Sequence, residues 1–215
     1  MTAQLTAYAA LGAVLAISFW WYERRRPPAR TVALVAAMAA LAVVGRLAFA
    51  AVPGVKPTTD IVLFAGYALG GVPGFMVGAV TAVASNVIFG QGPWTLWQMV
   101  AWGAVGVGGA ALARVQRGRE PSRWTLAAAC AVAAAAFGVF MDFYQWSFAA
   151  EQTVGTYGAA AGTSLGYNAA HVLASATFAA LIGPTFIRAI QRYRRRFEVE
   201  WEPPEPAEPD LQPVR

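Results

Sequence analysis

Long apolar segments separated by short polar ones run along most of the chain. A helix needs about 20 apolar residues to cross the hydrocarbon core of a bilayer. Such segments recur from near the first residue to about residue 190, and the predicted helices are 5–22, 31–52, 60–71, 74–90, 95–115, 124–148 and 164–190. The pattern predicts an all-α integral membrane protein in which one extra N-terminal transmembrane helix precedes a six-helix core spanning 31–196.

The predicted helix 60–71 is too short to cross a bilayer alone at 1.5 Å per residue. The segment before it, 52–59, contains Pro53 and Pro57. A loop at membrane depth must be sheltered by protein, because its backbone polar groups find no partners in lipid. We therefore expect this segment to dip into the bundle beside a cavity.

Composition excludes several classes of protein. Hydrophobic residues make up 58% of the chain and charged residues only 13%, about half the charged share of a soluble domain. The net charge of +5 comes from separate basic and acidic segments, so it does not indicate a nucleic-acid partner. One cysteine, Cys130, excludes an intrachain disulfide, and with a single histidine we expect neither a metal site nor a cofactor.

The arginines predict the topology. The arginines cluster in 24–30, 114–123 and 188–196, which lie on the same side of the membrane when successive helices alternate in direction. The connections on the other side of the membrane contain a single basic residue, Lys56. Basic connections stay in the cytoplasm, so we expect an inner-membrane protein with its N-terminus outside and its C-terminus inside. Residues 1–30 lack the basic start of a signal peptide and are expected to form an uncleaved anchor and basic loop. The acidic, proline-rich tail 197–215 is expected to be disordered in the cytoplasm.

Polar side chains within the predicted helices fall near one depth. Ionisable groups inside a membrane are costly and are therefore functional candidates. Residues three and four apart share a helix face, which groups Asn168 with His171 and Asp142 with Gln145. The pattern predicts a polar site that opens outward over an apolar inner half. The polar residues at this depth are Arg46, Asp60, Asn86, Gln98, Asp142, Gln145, Asn168 and His171.

Several of these residues allow two interpretations. The aromatic residues at the same level, among them Trp94, Trp97 and Tyr167, indicate either an interfacial belt or a pocket for a flat, hydrogen-bonding ligand. Arg46 fits a structural ion pair with Asp60 or Asp142 as well as it fits a ligand contact. His171 alone is more typical of a hydrogen-bonded core histidine than of a catalyst.

Small residues recur at four-residue spacing on two predicted helices. Ala33 and Ala37, with Ala36 and Ala40, lie on the first core helix, and Gly74, Gly78 and Ala82 lie on the third. This spacing lets two helix backbones approach closely. It predicts helix contacts and leaves open whether each partner helix belongs to this chain or to another protein.

Common catalytic motifs are missing from the sequence. It contains no Walker A, GxGxxG, HExxH or CxxC motif, so we expect a non-enzymatic chain. An intramembrane serine hydrolase would need Ser85, Ser164 or Ser175 near His171, and no nucleophile-turn motif surrounds any of these serines. Neither the charged ring of a channel nor the inverted repeat of a secondary transporter is evident.

Three sequence blocks resemble the substrate-specificity (S) components of energy-coupling factor (ECF) vitamin transporters. They are VKPTTDIVLFAGYALGG (55–71), PGFMVGAVTAVASN (73–86) and GQGPWTLWQM (90–99). The resemblance covers about 31–196. The third block is similar to S components assigned to cobalamin or a related corrinoid, and a smaller vitamin or a queuosine-type precursor is the alternative ligand.

The resemblance implies a binding subunit of an ABC-type importer. Such a subunit docks on a transmembrane coupling protein carrying two ATPases, then reorients in the membrane to release its ligand inside. The family's docking surface is matched here by Ala33, Ala36, Ala37 and Ala40. The ligand is expected in the outer half, under the loop joining the first two core helices. The residues expected around it are Lys56, Asp60, Asn86, Trp94, Trp97, Gln98, Asp142, Gln145, Tyr167, Asn168 and His171.

A second hypothesis is a membrane scaffold or assembly subunit whose polar cluster is purely structural. It predicts no affinity for a small molecule and tolerance of single polar-to-alanine changes.

Overall fold

A computed structural model describes residues 2–117, 119 and 121–196. Within these residues there are seven helices and no strand. Six of the helices are long and apolar enough to cross a membrane, and α3 is shorter. The expected all-helical, multi-pass architecture is thereby confirmed, while the tail 197–215 lies outside the described residues. The helices are α1 (Thr2–Arg24), α2 (Ala29–Ala48), α3 (Thr58–Leu69), α4 (Gly71–Phe89), α5 (Trp94–Val115), α6 (Arg123–Trp146) and α7 (Val154–Arg196).

Most helix bounds lie within three residues of the sequence-based expectation, and three differ by more: the end of the second helix and both ends of the last helix, which extends to Arg196. The second helix ends at Ala48 rather than at residue 52, so the connection to α3 is longer than predicted. The last helix begins at Val154, well before residue 164. Thr153 accounts for this early start, because its hydroxyl accepts a hydrogen bond from the Thr156 N–H at 3.2 Å, as an N-cap residue does.

The short helix α3 lies at the centre of the bundle. It contacts α2, α4, α5, α6 and α7, and its residues from Thr58 to Ala68 are all buried. A helix enclosed by other helices does not need to match the bilayer thickness, because protein rather than lipid surrounds its ends. This explains how a 12-residue helix fits into a membrane fold.

Glycines allow α3, α4 and α5 to touch backbone to backbone. A Cβ atom on Gly66 would overlap the carbonyl oxygen of Gly106, and one on Gly74 would lie 2.5 Å from the Gly66 Cα. A Cβ atom on Gly78 would overlap the backbone of Trp102. The small-residue pattern predicted on α4 therefore marks helix packing inside this chain.

The bundle has two distinct ends. At one of them, Arg194 Nη1 donates a hydrogen bond to the Ala68 carbonyl at 2.7 Å, and the Tyr67 hydroxyl donates one to Gln116 Oε1 at 2.8 Å. We call this the basic end, because the arginine-rich connections lie there. The other end is called the loop end, after the segment 49–57 that joins α2 to α3.

The N-terminal helix lies against the rest of the bundle. It packs on α4 and α5, with Leu11 and Leu15 buried in the contact. The four alanines of α2 that were predicted to form a docking surface are all exposed. The position of α1 therefore leaves that face of α2 uncovered.

Candidate functional site

The centre of the loop end is a fully buried tryptophan, Trp102 of α5. Its indole Nε1 donates a hydrogen bond to Thr59 Oγ1 at 3.2 Å, and Thr59 Oγ1 lies 2.9 Å from His171 Nε2. Either Thr59 or His171 can be the donor in this pair, because a hydroxyl oxygen can accept two hydrogen bonds and can also donate one. The Phe137 ring stacks on Trp102 with centroids 4.7 Å apart.

A chain of hydrogen bonds extends from Arg46 on α2 to α5. The Arg46 guanidinium donates to Ser85 Oγ and to Asn86 Oδ1, the latter at 2.8 Å. The Asn86 amide then donates to Gln98 Oε1 at 2.8 Å and to Thr95 Oγ1 at 3.0 Å. The partners of Arg46 are thus amide and hydroxyl oxygens, and the ion pair considered from the sequence is not formed with either aspartate.

The same guanidinium connects this chain to the central tryptophan. The Arg46 Cζ atom lies 5.1 Å from the centroid of the Trp102 ring and 4.5 Å from that of Phe89. Cation–π contacts of this kind stabilise a partly desolvated cation. Residues from α2, α4 and α5 therefore form one connected polar cluster around Trp102.

The segment 49–57 folds back into the bundle, as expected, but only through its second half. Ala51, Val52 and Pro53 are exposed, whereas Gly54 and Lys56 are buried. Gly54 has φ +78°, and a Cβ atom there would lie 2.8 Å from the Ala170 Cβ. Only glycine meets both requirements, because it adopts positive φ without strain and has no side chain.

Lys56 fastens this segment to α7. Its Nζ donates a hydrogen bond to the Tyr167 hydroxyl at 2.8 Å and lies 5.2 Å from the centroid of the Phe137 ring. The lysine belongs to the connection between helices rather than to a membrane-spanning segment. Burial, together with the smaller effect of the nearby positive charge of Arg46, lowers the pKa of Lys56 to about 7.

Asp142 joins α6 to α7. Its two carboxylate oxygens accept hydrogen bonds from Ser164 Oγ at 2.6 Å and from Asn168 Nδ2 at 3.0 Å. Gly138, one turn before Asp142, lies directly against the Asn168 side chain. The two polar helix faces predicted from residue spacing therefore meet, and they bond to each other.

Asp60 is a predicted ligand contact that is buried without a hydrogen-bond partner among the described residues. The residue is 1% exposed. The carboxyl group lies beside Cys130 and Ser175, although no hydrogen bond of ordinary geometry joins them. Its position one residue after Thr59 places it below the central cluster.

The remaining predicted residues lie apart from the centre. Trp97 faces α6 and α1, with its ring centroid 5.1 Å from Phe140 and 6.5 Å from Tyr8. Trp94 lies over Gly92 in the turn before α5. Gln145 is exposed at the end of α6.

The tertiary structure thus brings together Asn86, Gln98, Lys56, Tyr167 and His171. Three residues of the same cluster, Thr59, Ser85 and Trp102, were not predicted as contacts. Serine and threonine are common in membrane helices and often bond to their own backbone, so Thr59 and Ser85 carry no distinctive signal. Trp102 follows Gln98 by one helical turn, so the two residues share a helix face. That spacing was the sign in the sequence that Trp102 could belong to the cluster.

The hydrolase alternative receives no support from this geometry. Among the described residues His171 Nε2 is bonded to Thr59, and the Ser175 hydroxyl one turn along α7 has no hydrogen-bond partner. A serine nucleophile would need a hydrogen bond to its base.

The chain gives no significant match to any family model, curated protein or solved structure.

Proposed function

We propose that this chain is the substrate-binding subunit, or S component, of an ECF-type importer in the inner membrane. In this proposal the loop end faces outward and the arginine-rich end faces the cytoplasm. The subunit captures a vitamin-type molecule, with cobalamin or a related corrinoid as the best candidate. A transmembrane coupling protein and two ATPase subunits then drive its reorientation and the release of the ligand inside.

The observation that carries this proposal is the closed connection 49–57. Its buried half is held over the Trp102 cluster by the packing of Gly54 on α7 and by a hydrogen bond between Lys56 and Tyr167. The cluster below contains hydrogen-bonding groups from α2, α3, α4, α5 and α7. A removable cover over a converging set of polar groups suits a protein that captures a small molecule from one side.

The exposed alanine face of α2 supports the partner part of the proposal. Small residues are enriched where membrane helices associate, because they allow close backbone contact. The alanines at 33, 36, 37 and 40 are exposed, and α1 packs on α4 and α5 instead of covering them. A helix of the coupling protein could pack closely against this surface.

The chemistry of the cluster favours a ligand rich in amides and without strong charge. Asn86 and Gln98 supply amide groups, and Trp102 and Phe137 supply aromatic faces. The basic side chains Arg46 and Lys56 already bond to neutral oxygens. A corrinoid, with a large apolar ring and many carboxamides, fits this set, and a smaller amide-bearing vitamin fits it as well.

The first experiment is purification of the detergent-solubilised protein from cells grown with cobalamin. We expect a stoichiometric corrin absorption band and a matching mass in the eluted ligand. Recovery of a different vitamin would support the transport function and would identify that vitamin, and not a corrinoid, as the ligand. A protein that is empty and binds no vitamin added afterwards would contradict the proposal.

A pair of tyrosine variants tests the cover. Tyr167→Phe removes the hydrogen bond to Lys56, so the ligand should dissociate about three- to tenfold faster, as expected for loss of one hydrogen bond. Tyr193→Phe changes an exposed tyrosine at the other end of α7 and should leave dissociation unchanged. Equal dissociation rates for the two variants would remove the segment 49–57 from the binding mechanism.

A membrane scaffold is the second candidate, and one observation favours it. Asp142, Ser164 and Asn168 satisfy one another across α6 and α7, as purely structural polar residues do. The purification experiment separates the two candidates, because a scaffold elutes without ligand and binds none.

A further inference from the structure

The helix α1 carries two buried tyrosine hydroxyls, of Tyr8 and Tyr22, that have no hydrogen-bond partner among the described residues. They are about 21 Å apart along the helix axis, with Tyr8 towards the loop end and Tyr22 towards the basic end. Buried hydroxyls are almost always hydrogen-bonded in folded proteins. The lack of a partner for each of these two hydroxyls therefore needs a physical explanation.

Tyr8 lies in a cluster of aromatic rings from α5 and α6. Its ring meets Trp97 edge-on, and Trp97 in turn packs on Phe140, Phe143 and Tyr144 with centroids 5.1, 5.9 and 5.7 Å away. Trp97 is only 3% exposed, and its indole Nε1 also has no hydrogen-bond partner within the part of the chain that the structure describes. Two unpartnered polar groups thus occur in one aromatic cluster.

The position of Tyr8 is fixed by the packing of α1. The Gln4 amide donates a hydrogen bond to the Ser147 carbonyl at the end of α6, at 2.8 Å. Further along the helix, Leu11 and Leu15 are buried against the bundle. A helix that served only as an anchor in lipid would need neither contact.

Burying these two polar groups without hydrogen-bond partners is energetically unfavourable. Leaving a buried donor unsatisfied costs about 1–3 kcal/mol, and phenylalanine at position 8 would avoid that cost. An O–H and an N–H in one aromatic cluster are complementary to a hydrogen-bond acceptor with an adjoining flat apolar surface. Tyr22 differs, because it lines a cavity at the basic end in which the described residues offer no second buried polar side-chain atom without a partner.

We propose that α1 is part of the ligand site and that Tyr8 and Trp97 together bind the acceptor edge of the ligand. The acceptor is a carbonyl oxygen or a ring nitrogen, and the adjoining part of the ligand packs on the aromatic rings of α5 and α6. This inference rests on the proposed function, since it needs a small-molecule ligand at the loop end. It gives the N-terminal helix a role in binding that the six-helix core does not supply.

The test is a matched pair of substitutions on one helix, Tyr8→Phe and Tyr22→Phe. Each removes one unpartnered buried hydroxyl and nothing else. Cyanocobalamin is titrated into the full-length purified protein and tryptophan fluorescence is followed. If the purified protein carries another vitamin, that vitamin replaces cyanocobalamin. We expect Tyr8→Phe to weaken binding about three- to tenfold, the usual effect of one hydrogen bond, and Tyr22→Phe to bind like the unmodified chain.

Thermal unfolding of the ligand-free variants provides a second measurement. Neither substitution should lower the unfolding temperature, because neither hydroxyl has a partner to lose. A lower unfolding temperature for Tyr8→Phe would mean that the fold itself uses the hydroxyl, and the inference would fail. Equal affinities of the two variants would also overturn it while leaving the proposed function intact. An unmodified protein that binds no vitamin would overturn the proposed function and this inference together.

Discussion

Two helices of this protein carry the same small-residue pattern, and the fold uses the two patterns differently. On α4 the residues Gly74, Gly78 and Ala82 are buried against α3 and α5. On α2 the residues Ala33 and Ala37, with their neighbours 36 and 40, are exposed. The spacing indicates that a backbone can approach closely, but it does not tell which backbone does. The exposed stripe on α2 is therefore available to a partner outside the chain.

The largest expected effect concerns the buried stripe. Gly78→Val places a side chain into the backbone of Trp102, and no rotamer relieves an overlap with backbone. We expect a loss of more than about 4 kcal/mol of stability and almost no monodisperse protein in size-exclusion chromatography. Ala37→Val on the exposed stripe should be recovered at the normal yield. Equal yields of the two variants would contradict the conclusion that one stripe is packed inside the protein and the other is exposed.

The second effect concerns uptake rather than folding. Ala37→Trp fills the exposed stripe with a large ring, so we expect uptake in cells carrying the coupling module to be abolished while ligand affinity in detergent stays unchanged. Leu173→Trp is the control, because Leu173 is an exposed residue of α7 away from the stripe. Normal uptake by Ala37→Trp would show that α2 is not the docking surface.

A smaller effect separates the two faces of α2 itself. Ala42 is fully buried and its carbonyl accepts a hydrogen bond from Thr58 Oγ1 at 3.3 Å, whereas Ala40 is exposed. Ala42→Leu overpacks the core and should cost about 1–3 kcal/mol, seen as a lower unfolding temperature. Ala40→Leu should leave the unfolding temperature unchanged, and a matching decrease would mean that the exposed face packs inside the protein.

Helix positions could largely be predicted from the sequence, and the errors have a local cause. Segments of about 20 apolar residues are specified by composition alone, so the six long helices were found. The start of α7 was misplaced because the stretch after Thr153 is rich in glycine and alanine and resembles a connection. The cap formed by Thr153 and Thr156 depends on a hydrogen bond that the apolar pattern does not contain.

The candidate site was predicted less completely. Residue types at one depth were visible in the sequence, and Lys56, Asn86, Gln98, Tyr167 and His171 do cluster around Trp102. The pattern could not tell that Asp142 bonds to α7 or that Arg46 bonds to Asn86. Such pairings depend on the rotation of each helix about its axis, and a rotation by one residue changes every partner.

The sequence by itself determined that this chain is an all-helical membrane protein, because long apolar segments have no stable alternative in lipid. It also placed most polar side chains near one depth. Only the tertiary structure decided that α3 is enclosed by other helices, that the small residues of α4 are internal while those of α2 are exposed, and that Tyr8 lies beside Trp97. These outcomes depend on contacts between residues far apart in the chain, and a local pattern cannot specify which distant surface will meet it.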